Sequence, residues 1–124
     1  GNPVAVAAGM KMVELLIAEN PYPQLAAAGD RLVESFGELD ICLAQKGGVF
    51  TPFFGKGPVH NLEDAKKCDA QAHAKFFHAM LDRGVALAPG AYEILFPGLA
   101  HSDEVVDEIV AMAGEAAAAV VSGA

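Results

Sequence analysis

Apolar positions between Pro3 and Glu19 recur so densely that they cover most of a helix. Val6, Met10, Val13 and Ile17 follow the helical repeat, and Ala5, Ala8, Met12 and Leu16 widen the band. Lys11, Glu14 and Glu19 leave only a narrow wet edge, and a helix this apolar must be covered on most sides. Asn2 followed by Pro3 makes a good start, because the Asn side chain can accept from orphan amides and proline fills a first position that needs no donor. Asn20 and Pro21 end the element. A helix that begins at once is expected to mean either that preceding residues were removed or that the chain is one part of something larger. A second helix is predicted from about Tyr22 to Phe36, with Leu25, Ala28, Leu32 and Phe36 inward and Asp30, Arg31 and Glu34 outward.

The pattern then changes. Ile41 to Gln45 reads as a short strand, Lys46-Gly47-Gly48 as a turn, and Val49 to Phe54 as the returning strand of a hairpin. Pro52 cannot donate to a ladder, so its strand should lie at an edge there or bulge. Gly55-Lys56-Gly57-Pro58 reads as a loop. Asn61 caps a short helical turn, and Asp69 a longer helix to Arg83 with Ala72, Phe76, Phe77, Met80 and Leu81 inward and Gly84 as its cap. Two further short apolar runs, Val85 to Ala88 and Ile94 to Phe96, read as buried strands. Ser102 and Asp103 start a last helix carrying Val105, Val106, Ile109, Val110 and Met112, which fades into an alanine-rich tail ending at Ser122-Gly123. The expected class is α+β: a three- to four-stranded antiparallel or mixed sheet with helices on one face, preceded by the apolar N-terminal helix. With no internal repeat or linker, residues 1–124 read as one domain.

Composition narrows the function classes. Of 124 residues 53% are hydrophobic and 19% charged, which describes a globular chain. A formal charge of −8 repels phosphate backbones and anionic lipid, so neither nucleic acid nor a membrane surface is an expected partner. With no membrane-spanning stretch and no signal peptide, a cytoplasmic location is expected. Cys42 and Cys68 have no CxxC spacing and are expected as reduced, partly buried thiols.

Candidate chemistry is sparse. His73 and His78 are five apart, about 140° around a helix, so they cannot share the face an i,i+4 metal pair needs, and no metal site is expected. His73 is expected on a solvated face and His78 partly buried. There is no P-loop, GxGxxG or nucleophile elbow. Glu93 stands out by position: in GAYEILF it sits between a glycine loop and an apolar run, where a buried charge would need a partner. It reads either as a recognition group for a ligand amine or as a solvated loop residue.

Four segments in order, GNPVAVAAG, GGVFTPFF, FFHAMLDRGVALAP and YEILFPGLAHSDEVVDEIV, resemble the C-terminal part of glutamate-1-semialdehyde 2,1-aminomutase, a pyridoxal-phosphate enzyme similar to class III aminotransferases. The resemblance implies that residues 1–20 form a linking helix covered by a cofactor-binding domain and that 21–124 form the small C-terminal domain. It implies an internal amino transfer from glutamate 1-semialdehyde to 5-aminolevulinate, for tetrapyrrole synthesis. That chemistry needs a Schiff-base lysine, a carboxylate opposite the pyridinium nitrogen and a phosphate cup. Lys11, Lys46, Lys56, Lys66, Lys67 and Lys75 all lie in contexts unlike the family's catalytic lysine. The chain alone is therefore expected to hold no catalytic residue and to bind no pyridoxal phosphate.

The resemblance carries over little else. Glu93 matches the acidic residue that reaches towards substrate amino groups, and Gly1 and Asn2 match neighbours of the cofactor segment. The chain departs from the pattern at Gly90-Ala91, where a serine and a polar residue are usual, at Gly48, where serine is common, and in a shortened stretch between Phe36 and Ile41. Two other readings stay open: a self-standing α+β module that binds a small molecule or protein, and an interaction protein that dimerises through its opening helix.

Overall fold

The computed structural model describes residues 1–36, 39 and 41–122. Helix α1 spans Pro3–Glu19 and α2 spans Tyr22–Ser35. The Asn2 carboxamide oxygen accepts from the Val4 N–H at 2.9 Å, which satisfies one of the orphan donors of the first turn. Asn20 turns left-handed, φ 42°, and its N–H closes on the Leu16 carbonyl. Strands β1 (Ile41–Lys46) and β2 (Val49–Phe54) pair antiparallel from Ile41 opposite Phe54 to Lys46 opposite Val49. The two-residue loop is Gly47-Gly48, and Gly47 takes the positive φ of 56° that a tight hairpin requires. Helices α3 (Leu62–Ala65), α4 (Ala70–Leu81) and α5 (Asp103–Ser122) follow.

One aromatic cluster sets the core. Phe36 at the end of α2 lies 5.9 Å from Phe50 and 5.5 Å from Phe76, and Phe76 lies 5.6 Å from Phe54, as ring centroids. Phe50 and Phe54 alternate onto one face of β2, where α2 and α4 pack. Helix α5 lies across both helices through Val106, Ala113, Ala116 and Ala117, small side chains that permit close approach. Arg31 of α2 forks to Asp103 and Asp107 on the first turns of α5. Both carboxylates are largely exposed, so the fork registers the two helices more than it stabilises them.

Among the described residues the sheet has two strands, not the three or four expected. Val85 to Ala88 forms no strand among the described residues, and Ile94 to Phe96 contributes one bridge, Leu95 to Phe50. Phe50 N–H donates to the Leu95 carbonyl at 3.2 Å and Leu95 N–H returns the bond at 2.8 Å. Continuing that ladder would put Pro52 opposite Glu93 and Pro97 opposite Gly48, since hydrogen-bonded rungs recur every second residue. Neither proline has an N–H to give, so the ladder stops at one rung. The Glu93 carbonyl accepts instead from the Thr51 hydroxyl at 3.1 Å.

The histidines of α4 are exchanged relative to expectation. His73 is buried and His78 exposed, while Leu81 is 46% exposed. The inward stripe is His73, Phe76 and Met80. The imidazole of His73 stands edge-on to Phe54 at 6.0 Å, so its apolar ring edge is accommodated inside. The shortened stretch between Phe36 and Ile41 lies largely outside the described residues, as does Gly123.

Helix α1 has no buried residue. Val4 is 77% exposed and Ile17 78%, with Val6, Met10, Met12 and Val13 all more than half exposed. Among the described residues nothing supplies the cover that its pattern calls for.

Candidate functional site

The loop between the Val85–Ala88 run and α5 carries Glu93. Two tethers hold it to β2: the Phe50–Leu95 rung and the Thr51–Glu93 bond. The Glu93 side chain folds back over its own loop, where Oε2 accepts the Gly90 N–H at 2.7 Å, and the Glu93 N–H donates to the Gly90 carbonyl at 3.1 Å. Glu93 itself is exposed. A carboxylate in this position is available to a cationic partner and has a fixed anchor on one oxygen.

Beneath the loop lies His73. Burial holds its imidazole below the usual histidine range, and the nearby Glu93 charge pulls weakly the other way. A histidine whose folded pKa is depressed binds fewer protons than the unfolded chain, so protonation favours unfolding. Its contribution is complete above the ordinary histidine pKa of 6.5 and shrinks as pH falls below it. Thermal unfolding followed from pH 7.5 towards 5.5 should show a falling midpoint that is flattened in His73→Phe. A wild-type midpoint that stays level across that range would remove the argument.

Two cavities flank the loop. One of about 610 Å³ runs between α2, α5 and the 83–88 and 94–97 segments, with Phe96 and Val105 at an apolar wall and Arg83, His101 and Glu108 as polar members. Arg83 is already bonded to the Ala79 carbonyl and Glu115, and His101 Nδ1 to the backbone of Gly98. The second, about 520 Å³, lies on the other face of the hairpin, with Phe53, Val59, Leu62, Tyr92 and Ile94 among its lining and Lys46 as its cation.

Neither cavity fits pyridoxal phosphate. The first has no lysine and the second has Lys46 without a carboxylate. A third recess, about 380 Å³, pairs Lys75 with Asp82 but brings only His78 as a further polar group, too few donors for a phosphate. Among the described residues no three His, Cys, Asp or Glu side chains gather as a metal site would require, and no helix is long and apolar enough to cross a membrane. Both cysteines are free and partly buried, and burial followed by the neighbouring Cys42 pushes the Cys68 thiol up, away from a reactive thiolate.

The expected site residues separate into two places. Glu93 is on the loop, whereas Gly1 and Asn2 form the cap of α1 and share no hydrogen bond with it among the described residues. The role of Gly90 was not legible in advance, because nothing in the spelling GAYE says that the fourth residue returns to the first amide.

Comparison with known proteins adds what geometry cannot. A protein named glutamate-1-semialdehyde 2,1-aminomutase from Neisseria meningitidis serogroup C is 39% identical over 121 residues, 93% of this chain, and its counterpart from Roseiflexus castenholzii is 42% identical over 122 residues, 94% of this chain. The chain is homologous to glutamate-1-semialdehyde 2,1-aminomutase. It spans 28% of the length of each of these relatives. A solved structure described as a transaminase with PLP bound shares the fold at a TM-score of 0.71, with 20% sequence identity, over 98% of this chain and 28% of that one. No family model matches the sequence.

Proposed function

We propose that this chain serves as the C-terminal small domain of a pyridoxal-phosphate-dependent aminomutase, with residues 1–20 as the helix that docks on a cofactor-binding domain and 21–124 as the domain itself. The observation that carries the proposal is α1: seventeen residues with none buried, in a chain homologous to little more than a quarter of its relatives. An uncovered apolar face of that extent is uncommon on a self-sufficient domain. The contribution of this domain to the site is Glu93, whose carboxylate receives an amino group of a glutamate 1-semialdehyde-like substrate and holds it by a charge-assisted bond. The lysine, the pyridinium partner and the phosphate cup belong to the other domain, consistent with the poor fit of the cavities here.

Co-expression tests this. Supplied with the remaining part of the Neisseria aminomutase, from which the homologous region has been deleted, the chain should co-purify in equal amounts and restore 5-aminolevulinate formation. Glu93→Gln in that complex should lower kcat/KM by about 10- to 100-fold, the effect of losing one hydrogen bond to a charged group. The chain alone, mixed with pyridoxal phosphate, should give no stoichiometric borohydride-trappable product. Trapping at one specific lysine would defeat the domain reading and make the chain an enzyme in its own right.

A further inference from the structure

Gly90 is a glycine that its backbone does not require. Gly47, Gly57 and Gly84 all have positive φ, but Gly90 does not, so another residue could adopt its conformation. What the position excludes is a side chain. A Cβ built there would fall 2.9 Å from Glu93 Oε2, 3.0 Å from its Cδ and 3.2 Å from its Cγ. The space is taken because Oε2 lies against the Gly90 N–H at 2.7 Å. The other oxygen, Oε1, accepts no hydrogen bond among the described residues.

We infer that Gly90 is the positioning residue of Glu93: its N–H anchors Oε2, and its missing side chain leaves room for the carboxylate, so that Oε1 is left to receive an amino group. The inference rests on the reading of Glu93 given above. A carboxylate anchored by one oxygen has surrendered its rotamer freedom before a ligand arrives, which lowers the ordering cost of binding. Even one methyl at position 90 evicts it from this pose.

Nuclear magnetic resonance of the labelled 124-residue chain reads the anchor directly. The wild type should show a scalar coupling across the hydrogen bond from the Gly90 nitrogen to the Glu93 Cδ, and a single Glu93 rotamer. Gly90→Ala should lose the coupling and let the side chain average, while the Phe50 and Leu95 amides stay protected. Gly98→Ala, whose methyl meets only His101 Nδ1 at an ordinary 3.8 Å, should leave the coupling intact. A wild type without the coupling, or a Gly90→Ala chain that keeps it, overturns the inference. Should Gly90→Ala fail to fold, Glu93→Gln decides: the Gly90 amide proton should move upfield as its acceptor loses charge, and an unmoved resonance overturns the anchor. These readouts are independent of the amine. An inert Glu93→Gln in the reconstituted complex would remove the recognition role and leave the anchor standing, whereas a missing coupling would do the reverse.

Discussion

Gly48→Ala is expected to destabilise the domain by about 2–3 kcal/mol, at the upper end of what overpacking costs. A Cβ on Gly48 would lie 2.6 Å from the Leu25 carbonyl oxygen and 2.8 Å from its carbon, and a Cβ on Gly29 would lie 2.9 Å from the Gly48 Cα. The turn of the hairpin therefore crosses α2 with glycine against glycine, backbone on backbone. Such atoms cannot rotate away as a side chain would, so either the hairpin or the helix must shift, and both hold the aromatic core. Thermal unfolding should show the midpoint lowered by roughly 10 °C in a domain of this size. Gly114→Ala is the control: a Cβ there meets nothing within 4 Å, and alanine should gain up to about 1 kcal/mol in a helix interior. A Gly48→Ala chain as stable as the wild type would show that the contact yields.

The second large effect concerns association. Separated from any cofactor domain, the chain should pair with itself through α1, because Val6, Met10, Val13 and Ile17 form one continuous exposed stripe on a helix about 25 Å long. Burial at about 25 cal/mol per Å² favours pairing by several kcal/mol before the entropy of association is subtracted. A two-fold contact lets the same stripe cover itself, which makes a closed dimer the expected form. Met10→Glu with Val13→Glu places two charges in the middle of that stripe, and sedimentation should shift from dimer to monomer at high micromolar concentration with circular dichroism unchanged. Unchanged circular dichroism is expected because α1 contributes no residue to the core. A wild-type chain that sediments as a monomer at the same concentration would sink the prediction.

Most of the helical skeleton was legible. The period along α2 and α5 and the caps Asn2 and Asp69 place elements whose starts agree with the structure within a residue. The hairpin followed from two β-rich runs around Gly47-Gly48. The surplus strands had a different cause. A run such as Ile94 to Phe96 carries the right side chains, but a strand also needs a partner able to donate on alternate residues, and Pro52 and Pro97 remove that on both sides of one rung. The histidines failed for another reason: polarity alone put His73 outside, when an imidazole edge against Phe54 suits the interior. Of the candidate site, Glu93 was visible through resemblance and position. Its anchor on Gly90 depends on a side-chain torsion, which no period or spacing encodes.

The brevity of the Phe50–Leu95 pairing also bears on motion. The loop that carries Glu93 is fastened to β2 by the two bonds of that rung and the Thr51 hydroxyl. At about 1 kcal/mol net for each bond, releasing all three costs roughly 3 kcal/mol, and Leu95, which packs against the core, must also be withdrawn, so the detached population lies well below one molecule in a hundred. Phe36, Phe76, Met80 and Val106 lie in the core outside that loop. The carboxylate therefore sits on a latch whose release draws Leu95 from the edge of the core while those four side chains keep their places.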